Sequence, residues 1–457
     1  MNGQVKEVLT KQKVDLGKSS ISKLFWYYTI PSVFMLVVQT AAYFVDSVFV
    51  GRFIGAEGLS AITLVMPVII FLGGIAMMIG IGGITLAGIE KGAGNKENSN
   101  NIYNVTMALT LISGVVGAII LFLAAPLLMS LLSLTSETGA FAIEYARYTS
   151  FFVPFFLMNF VVGFFLKLDG KPLLVTGVMF FGALLNVGLD YMFIVYYELG
   201  MRGAAMATGL SQVAPFLICL GVLIWTSDWS FRKPVFRLRD IQRIFYNGFS
   251  EFLTSITMAI IGVVFNVVIL RRIGAMGIAA FAVVMQLMEF ARALGYGIGE
   301  GNQSIWSYNF GAYQYDRVHL VRKWAIYVSV MIGALLAGAA FLFGEEISRL
   351  FVTEVAVNAL SVEVINYAAV SLVFVGFNIV LPTYYTAIND PYRSILLTVY
   401  RSFVGPIVGL LILPLIFGDE GIWLTFVYME VTAFIFGLLL LRKYPLGDKN
   451  QKWKVPE

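Results

Sequence analysis

The chain has 457 residues, of which 59% are hydrophobic and only 13% are charged, and its net charge is +4. A soluble domain usually carries about 25% charged residues, so this composition excludes a soluble globular protein. The single cysteine, Cys219, excludes an intramolecular disulfide. The sequence therefore indicates a membrane protein with almost no soluble part.

Apolar segments near twenty residues recur along the whole chain, and each can cross ~30 Å of hydrocarbon as a helix. We predict an all-α polytopic membrane protein with twelve transmembrane helices in two pseudo-symmetric six-helix bundles. The first six helices are predicted at Leu24–Val50, Leu59–Ile89, Tyr103–Leu132, Phe141–Leu166, Pro172–Tyr197 and Gly203–Trp225. The second six are predicted at Glu251–Ile269, Ile278–Trp306, Lys323–Phe343, Ala356–Thr386, Ser394–Phe417 and Ile422–Leu441.

Lysine and arginine are unevenly distributed over the loops. With the amino terminus inside, the tails and even-numbered loops hold 23 of the 31 Lys and Arg residues, and the odd-numbered loops hold five. Basic loops mark the cytoplasmic side, so we expect both termini to be cytoplasmic. The charge of the chain thus reflects membrane topology, and we expect no nucleic-acid partner.

The longest loop between predicted helices divides the chain into two groups of six helices. The polar first segment is interpreted as a cytoplasmic tail and not as a cleaved signal. We predict a cytoplasmic amino-terminal tail, an N-lobe of helices 1–6, a cytoplasmic linker, a C-lobe of helices 7–12 and a cytoplasmic carboxy-terminal tail, over residues 1–23, 24–227, 228–245, 246–443 and 444–457.

The two halves resemble each other in sequence. The segment GAEGLSAITLVMPV (Gly55–Val68) aligns with GAMGIAAFAVVMQL (Gly274–Leu287) at an offset of 219 residues, with six identities in fourteen. Because each half contains six helices, both halves enter the membrane from the same side. Such parallel repeats are related by an axis along the membrane normal and usually enclose a transport cavity between them.

Asp46 lies near the outer end of the otherwise apolar helix 1, and its second-half counterpart is Phe265. Asn186 and Asp190 follow at a spacing of four on helix 5, which places them on one face. Thr208 lies one turn into helix 6. Counting about 1.5 Å per residue from the loops puts these four polar residues at similar depth.

Two carboxylates, an amide oxygen and a hydroxyl suit a hard cation such as Na⁺. Two acids held close together also suit a proton carrier. Without a counter-charge they cannot both be ionised at once, so one of them tends to hold a proton. The alternative is a set of separate hydrogen-bonded residues that stabilise helix contacts. Ionisable residues within a membrane favour a functional role.

The chain resembles the MATE (multidrug and toxic compound extrusion) family, in its DinF-like bacterial branch, over essentially its whole length. The resemblance rests on VDSVFVG with GAEGLSAI, the LN and LD pairs of helix 5, GMRGAAMAT of helix 6 and GIGEGNQSIWSYNFGA of helix 8. It implies that Asp46, Asn186, Asp190 and Thr208 form a Na⁺ or H⁺ coupling site. It also implies that helix 1 bends at Pro31, where the ring removes a backbone N–H.

The resemblance further implies a secondary active multidrug exporter, a multi-pass protein of the bacterial cytoplasmic (inner) membrane. We expect antiport of small cationic or amphipathic organic compounds with Na⁺ or H⁺, by alternating access between the lobes. Beyond its substrates and the membrane lipid we expect no partner, a monomer and no cofactor. Candidate substrate-binding residues are Glu289, Glu300, Asn159 and Gln39.

Each of these residues has a simpler interpretation. Glu289 either faces the central cavity or forms an ion pair with Arg292, three residues later on helix 8. Glu300 stands in GEGNQS, where many relatives read closer to GQGFQP, and either reaches water or forms an inward-facing entry site. Asn159 either lines the N-lobe cavity or forms ordinary contacts between helices. Glu144 and Arg147 on helix 4 are expected to form a structural pair.

Other classes of protein fit less well. The one histidine, His319, lies in a loop, so the histidine motif of an intramembrane metalloprotease is absent. We therefore do not expect an enzyme. No Walker-type nucleotide-binding loop appears, so an ATP-driven pump is not expected either. A lipid or lipid-linked precursor flippase of the same superfamily is the alternative. Its cavity would usually be more basic, whereas intramembrane acids outnumber the three intramembrane arginines here.

Overall fold

The computed structural model describes residues 14–131, 136–352 and 354–443. The carboxy-terminal tail predicted at 444–457, the first thirteen residues of the amino-terminal tail and the predicted end of helix 3 at Leu132 lie outside the described residues. The first six helical elements are α1 (Ile21–Phe53), α2 (Ala56–Gly92), α3 (Lys96–Leu131), α4 (Ser136–Ser150 and Val153–Leu168), α5 (Pro172–Asp190, continued by a π-helix at Tyr191–Tyr196) and α6 (Gly200–Thr226).

The second six elements repeat this order. They are α7 (Leu238–Arg272), α8 (Ala275–Gly311), α9 (Tyr315–Arg349), α10 (Val355–Ala387), α11 (Pro391–Val399 and Gly405–Phe417, joined by a π-helix at Tyr400–Val404) and α12 (Glu420–Lys443). Within the described residues, eleven elements are each long and apolar enough to cross a membrane. The two segments of α4 supply the twelfth. The predicted all-α fold with twelve spans is confirmed.

The predicted helix 4 is bent where a single helix was expected. Its two segments meet at an angle of 50°. The second segment begins at Val153 and carries Pro154 in its first turn. Proline lacks the N–H that would continue the first segment and its ring disfavours helical geometry before it, so the break falls immediately before this residue.

The sequence repeat has a direct structural basis at the start of α2 and α8. Gly55 and Gly274 precede these helices with φ angles of 105° and 89°. Glycine adopts this backbone region without strain, whereas other residues do not. The tight turn between the first two helices of each lobe therefore needs glycine at equivalent positions.

The two lobes meet mainly through three helix pairs, α2 with α7, α1 with α8 and α2 with α8. Many of these contacts lie at the end of the bundle that carries the even-numbered loops, which we call the basic end. There Gly92 packs on the backbone of Tyr308, and Gly311 packs on that of Ile89, so closely that a Cβ at either glycine would collide with the facing carbonyl oxygen. These reciprocal contacts bring the helix backbones of the two lobes together.

Polar side chains add to the contact between the lobes near the basic end. Asn302 Nδ2 on α8 donates a hydrogen bond to Thr29 Oγ1 on α1 at 2.9 Å. Gln303 Nε2, the next residue of α8, donates to Thr85 Oγ1 on α2 at 2.7 Å. All four side chains are buried, so each hydrogen bond joins the lobes away from solvent.

The chain before α1 also contacts the C-lobe. The backbone oxygen of Leu16 accepts hydrogen bonds from Asn309 Nδ2 on α8, at 3.1 Å, and from Arg317 Nη2 on α9, at 3.0 Å. Arg317 Nη2 also donates to the backbone oxygen of Ser19, at 2.7 Å. The described part of the predicted amino-terminal tail is therefore packed against the basic end of the bundle.

Candidate functional site

The structure brings the four predicted coupling residues together inside the N-lobe. Asp46 on α1, Asn186 on α5 and Thr208 on α6 line one cavity, which we call the aspartate cavity. Asp190 lies one turn beyond Asn186 on α5, is fully buried, and places its carboxyl group next to that of Asp46. Counting depth along the helices thus identified residues that are neighbours in space.

Several polar atoms at this site have no hydrogen-bond partner among the described residues. They are Oδ1 of Asp46, both carboxyl oxygens of Asp190, Nδ2 of Asn186 and Oγ1 of Thr208. A buried polar group without a partner costs about 1–3 kcal/mol, and a charged group costs more. Two neighbouring carboxylates also repel each other. The arrangement therefore calls for a positive charge between them.

The chemistry of these groups fits a small hard cation or a proton. Carboxylate, amide and hydroxyl oxygens are the ligands that hard cations prefer. No group of three or more His, Cys, Asp or Glu side chains suited to a metal ion occurs in the described part of the chain. The two carboxyl groups can accept a cation or a proton. The part that each of the four residues plays in coupling stays a prediction.

Tyr145 is a neighbour of this site that the sequence analysis missed. It lies on the first segment of α4 and is 3% exposed. Its hydroxyl lies beside Thr208 and Thr149, within electrostatic range of Asp46 and Tyr43. The segment IEYA (Ile143–Ala146) resembles INYA (Ile365–Ala368) of the second half and so marks this position, but a tyrosine in an apolar helix is usually only a core residue. Tyr145 can supply a hydroxyl to the coupling site.

Pro31 lies on the same helix as Asp46, fifteen residues earlier. α1 continues as a helix through this proline. The backbone oxygen of Pro31 accepts a hydrogen bond from Thr176 Oγ1 on α5 at 3.0 Å, so the helices that carry the two aspartates are also joined here. The bending of α1 at Pro31 stays a prediction.

Three of the four candidate substrate residues share a second cavity in the N-lobe. Gln39 on α1, Asn159 on α4 and Glu300 on α8 line it, together with Lys167 at the end of α4. We call it the lysine cavity. Asn159 Nδ2 donates to Gln212 Oε1 at 3.0 Å, so Asn159 both lines the cavity and joins two helices.

The lysine cavity lies next to the aspartate cavity, on its basic-end side. Both are lined by Met35, Gln39, Met179 and Gln212. Gln39 and Asp46 are separated by seven residues of α1, or about 10 Å along the helix axis. A ligand in the lysine cavity would therefore lie close to the coupling residues without displacing them.

Glu289, the fourth candidate, forms an ion pair. Its carboxylate accepts a hydrogen bond from Arg292 Nε at 2.8 Å, and 47% of its side chain is exposed. Arg292 lines a cavity inside the C-lobe.

The predicted pair between Glu144 and Arg147 is wrong. Glu144 pairs with Arg202 on α6, and the Arg147 guanidinium lies over the Phe122 ring. Each side chain therefore meets a partner on another helix and not its neighbour three residues away.

The C-lobe cavity has a different chemistry from the aspartate cavity. Phe265, the counterpart of Asp46, stacks with Phe281 and Phe426 at centroid distances of 5.5 and 5.1 Å. At the same cavity Arg401 pairs with Glu430, with Nη2 and Oε1 2.7 Å apart. Arg401 and Glu430 at this cavity neutralise each other, whereas the two carboxyl groups at the aspartate cavity have no such partner.

Twelve spans in two bundles, with buried polar groups facing internal cavities, define a multi-pass membrane protein of the transporter class. The MatE family model matches residues 31–192 and 252–411, which together make up well over half of the chain. The chain therefore belongs to the MatE family, and the resemblance seen in the sequence is confirmed. The two matched segments fall in the two lobes, as the repeat requires.

Relatives of known name cover nearly the whole chain. The multidrug export protein MepA of Staphylococcus saprophyticus is 24% identical over 428 residues, which are 93% of this chain and 91% of the relative. MepA of Staphylococcus aureus is 24% identical over 441 residues, 94% of this chain and 95% of the relative.

Solved structures of similar proteins share the fold. A crystal structure described as MATE in complex with MaL6 has a TM-score of 0.88 and 24% identity, and covers 97% of this chain and 98% of its own. An outward-facing multidrug resistance MATE family transporter of the MOP superfamily also has a TM-score of 0.88, with 24% identity and 94% and 96% coverage. At this identity the likeness shows the fold.

Proposed function

We propose that this protein is a secondary active exporter of small cationic or amphipathic organic compounds, driven by the entry of Na⁺ or H⁺ at the aspartate cavity. The observation that carries the proposal is the buried pair of carboxyl groups, Asp46 and Asp190, whose oxygens lack hydrogen-bond partners beside a cavity. The names of the MepA relatives, which are multidrug export proteins, support this choice over a lipid flippase.

The coupling chemistry follows from the charge of the site. A cation or proton between Asp46 and Asp190 neutralises their repulsion, and Asn186 and Thr208 supply further oxygens. One elementary charge that crosses the membrane releases about 2.3 kcal/mol per 100 mV. That energy can drive the accumulation of a drug outside the cell if the ion and the drug cannot cross independently.

The two lobes provide a basis for alternating access. Their contacts at the basic end include backbone packing at glycine and buried hydrogen bonds. When the lobes rock apart, these contacts break and the two facing surfaces separate. We place this end in the cytoplasm of a bacterium, with both termini inside. The N-lobe then covers residues 24–227, the linker 228–245 and the C-lobe 246–443. A bend of α1 at Pro31 would transmit occupancy of Asp46 to the shape of both N-lobe cavities.

The decisive test is efflux of a fluorescent organic cation from liposomes that contain the purified protein, with Na⁺ and pH gradients imposed separately. Wild-type protein should concentrate the cation against its gradient under one of the two. Asp46→Asn and Asp190→Asn should fold and should lose this accumulation. Asp419→Asn is the matched control, because this aspartate has a side chain that is 56% exposed.

The result that would overturn the proposal is accumulation by Asp46→Asn protein at the wild-type rate. Coupling would then have to occur elsewhere, and Glu300 or Glu289 would be the next residue to test. Loss of accumulation in Asp419→Asn as well would mean that the assay reports damage to the protein and not coupling.

A further inference from the structure

Lys167 is a buried lysine whose ammonium group lacks a hydrogen-bond acceptor. It lies in the last turn of α4 and is 2% exposed. Its Nζ has no hydrogen-bond partner among the described residues. The Phe164 ring lies 5.9 Å away, at the limit of a cation–π contact. A buried charge without a partner is costly, so a function is needed to explain it.

The neighbouring Lys171 shows what the same fold does with a structural lysine. Lys171 is also 2% exposed, but its Nζ donates to Asp169 Oδ2 at 2.8 Å and to the backbone oxygen and Oγ1 of Thr226, both at 2.9 Å. All three donors of this ammonium are used. Lys167 lies four residues earlier, in the last turn of α4, and its ammonium is left to the lysine cavity.

The lining of the lysine cavity also carries a negative charge. Glu300 comes from α8 of the other lobe and lies within electrostatic range of Lys167. Glu251 on α7 is near Glu300 but lines a separate cavity of the C-lobe. Lys167 does not reach either carboxylate to form a hydrogen bond. The cavity therefore presents a positive and a negative group that are separated by open space.

The remaining lining suits the rest of a charged headgroup. Oδ1 of Asn159 has no hydrogen-bond partner, and its amide lies beside Gln212. Met35, Met179 and Phe160 form apolar walls. The cavity measures about 60 Å³, which is enough for a charged group and too little for a whole drug molecule. The body of a ligand would have to extend out of it.

We infer that the lysine cavity binds the headgroup of a zwitterionic amphiphile, with a carboxylate of the ligand at Lys167 and a protonated amine at Glu300. This inference rests on the proposed export function and specifies its substrate class. A site for a simple cation gains nothing from an unpaired ammonium, which repels its ligand. A zwitterion neutralises both charged groups at once and joins the two lobes through its two charges.

The test uses a matched pair of dyes, a rhodamine zwitterion with a free carboxylate and the methyl ester of the same dye, which is a pure cation. Dissociation constants are measured by fluorescence polarisation on the purified full-length protein in detergent. Wild-type protein should bind the zwitterion more tightly than the ester. Lys167→Met should shift the ratio of the two constants by about tenfold or more toward the ester, the usual effect of one hydrogen bond to a charged group.

Two further variants separate charge from folding. Lys167→Arg keeps the positive charge and should keep the preference for the zwitterion. Glu300→Gln should weaken binding of both dyes, because both carry the cationic xanthene group, which takes the place of the amine in this test. Lys323→Met, which removes an exposed lysine on α9, should leave both constants unchanged.

The inference is wrong if wild-type protein prefers the ester, or if Lys167→Met changes both constants equally. Lys167 would then be a counter-ion of Glu300 only. Efflux of the same two dyes from liposomes distinguishes this failure from failure of the proposed function. If both dyes are exported along an ion gradient but Lys167→Met does not change the preference between them, only the inference is overturned. If neither dye is exported along an ion gradient, the proposed function is overturned as well.

Discussion

The ion pair between Arg401 and Glu430 is the most sharply testable feature of the C-lobe. Glu430 on α12 is 1% exposed, and the Arg401 side chain, from the π-helix of α11, is 12% exposed. Arg401 Nε donates to both carboxylate oxygens at 3.0 and 3.1 Å, and Nη2 donates to Oε1 at 2.7 Å. Asn378 Nδ2 on α10 donates to Oε2 at 2.6 Å. The carboxylate is fully satisfied.

Arg401→Met keeps an unbranched side chain in place of the aliphatic stem of arginine and removes the counter-charge of a buried carboxylate. Breaking a buried pair from one side costs about 3–5 kcal/mol, because the remaining charge is left without compensation. Removing both charges in Arg401→Met with Glu430→Gln should cost far less, since Gln can still accept from Asn378. We expect the single variant to lose about 3 kcal/mol of unfolding free energy and the double variant to recover most of it.

The assay is reversible unfolding in mixed detergent micelles, followed by intrinsic fluorescence as the fraction of denaturing detergent rises. Arg349→Met is the matched control. Arg349 pairs with Glu345, but their side chains are 68% and 56% exposed, and an exposed pair contributes only ~0–1 kcal/mol. Equal losses for Arg401→Met and Arg349→Met, or a double variant no more stable than the single one, would refute the reasoning.

Three other predictions concern transport and the contact between the lobes. Gly311→Ala should weaken the contact between the lobes at the basic end by about 1–3 kcal/mol. The lobes should then approach each other more often at the opposite end, which is measured as faster cross-linking of cysteines introduced there. Gly338→Ala should leave the cross-linking rate unchanged, because a Cβ at this glycine meets no atom within 4 Å. Glu289→Gln should reduce export of a cationic drug more than of a neutral one in resistance assays at matched expression. Arg292→Ala is its control, because both variants break the ion pair between Glu289 and Arg292. If loss of this pair were the cause, both variants would reduce export alike. Thr208→Ala should slow gradient-driven efflux by less than about tenfold, because a water can replace one hydroxyl.

Much of this architecture could be predicted from the sequence because the membrane fixes it. Hydrocarbon thickness sets the length of each span, and backbone hydrogen bonding inside lipid requires helices. The same constraint allowed depth to be counted from the loops, which placed Asp46 and Asp190 together. The repeat at Gly55 and Gly274 identified the two lobes, because a positive φ angle leaves few alternatives to glycine.

Features that depend on side-chain direction could not be predicted in this way. Lys167 stands at the end of an apolar segment, so the sequence assigns it to the basic loop after helix 4. In the structure α4 extends through Lys167, and the side chain is buried inside the lobe. Glu144 was assigned to the arginine nearest in sequence, and the partner it meets, Arg202, is 58 residues away. The π-helix after Asp190 has no clear sequence signal, since an inserted residue in a helix leaves the apolar pattern almost unchanged.

The contrast between the lobes explains why a duplicated scaffold would keep an acid in one copy only. In the C-lobe the position of Asp46 is Phe265, packed in a stack of three rings, and the carboxylate of Glu430 is held by hydrogen bonds that nothing else can easily replace. Such groups cannot exchange a ligand without a large cost. In the N-lobe, Asp46, Asp190 and Lys167 have unused hydrogen-bonding capacity next to cavities. Under our proposal the N-lobe therefore exchanges ions and supplies Lys167 to the polar end of the substrate. The C-lobe supplies Glu300 and is otherwise the body against which the N-lobe moves.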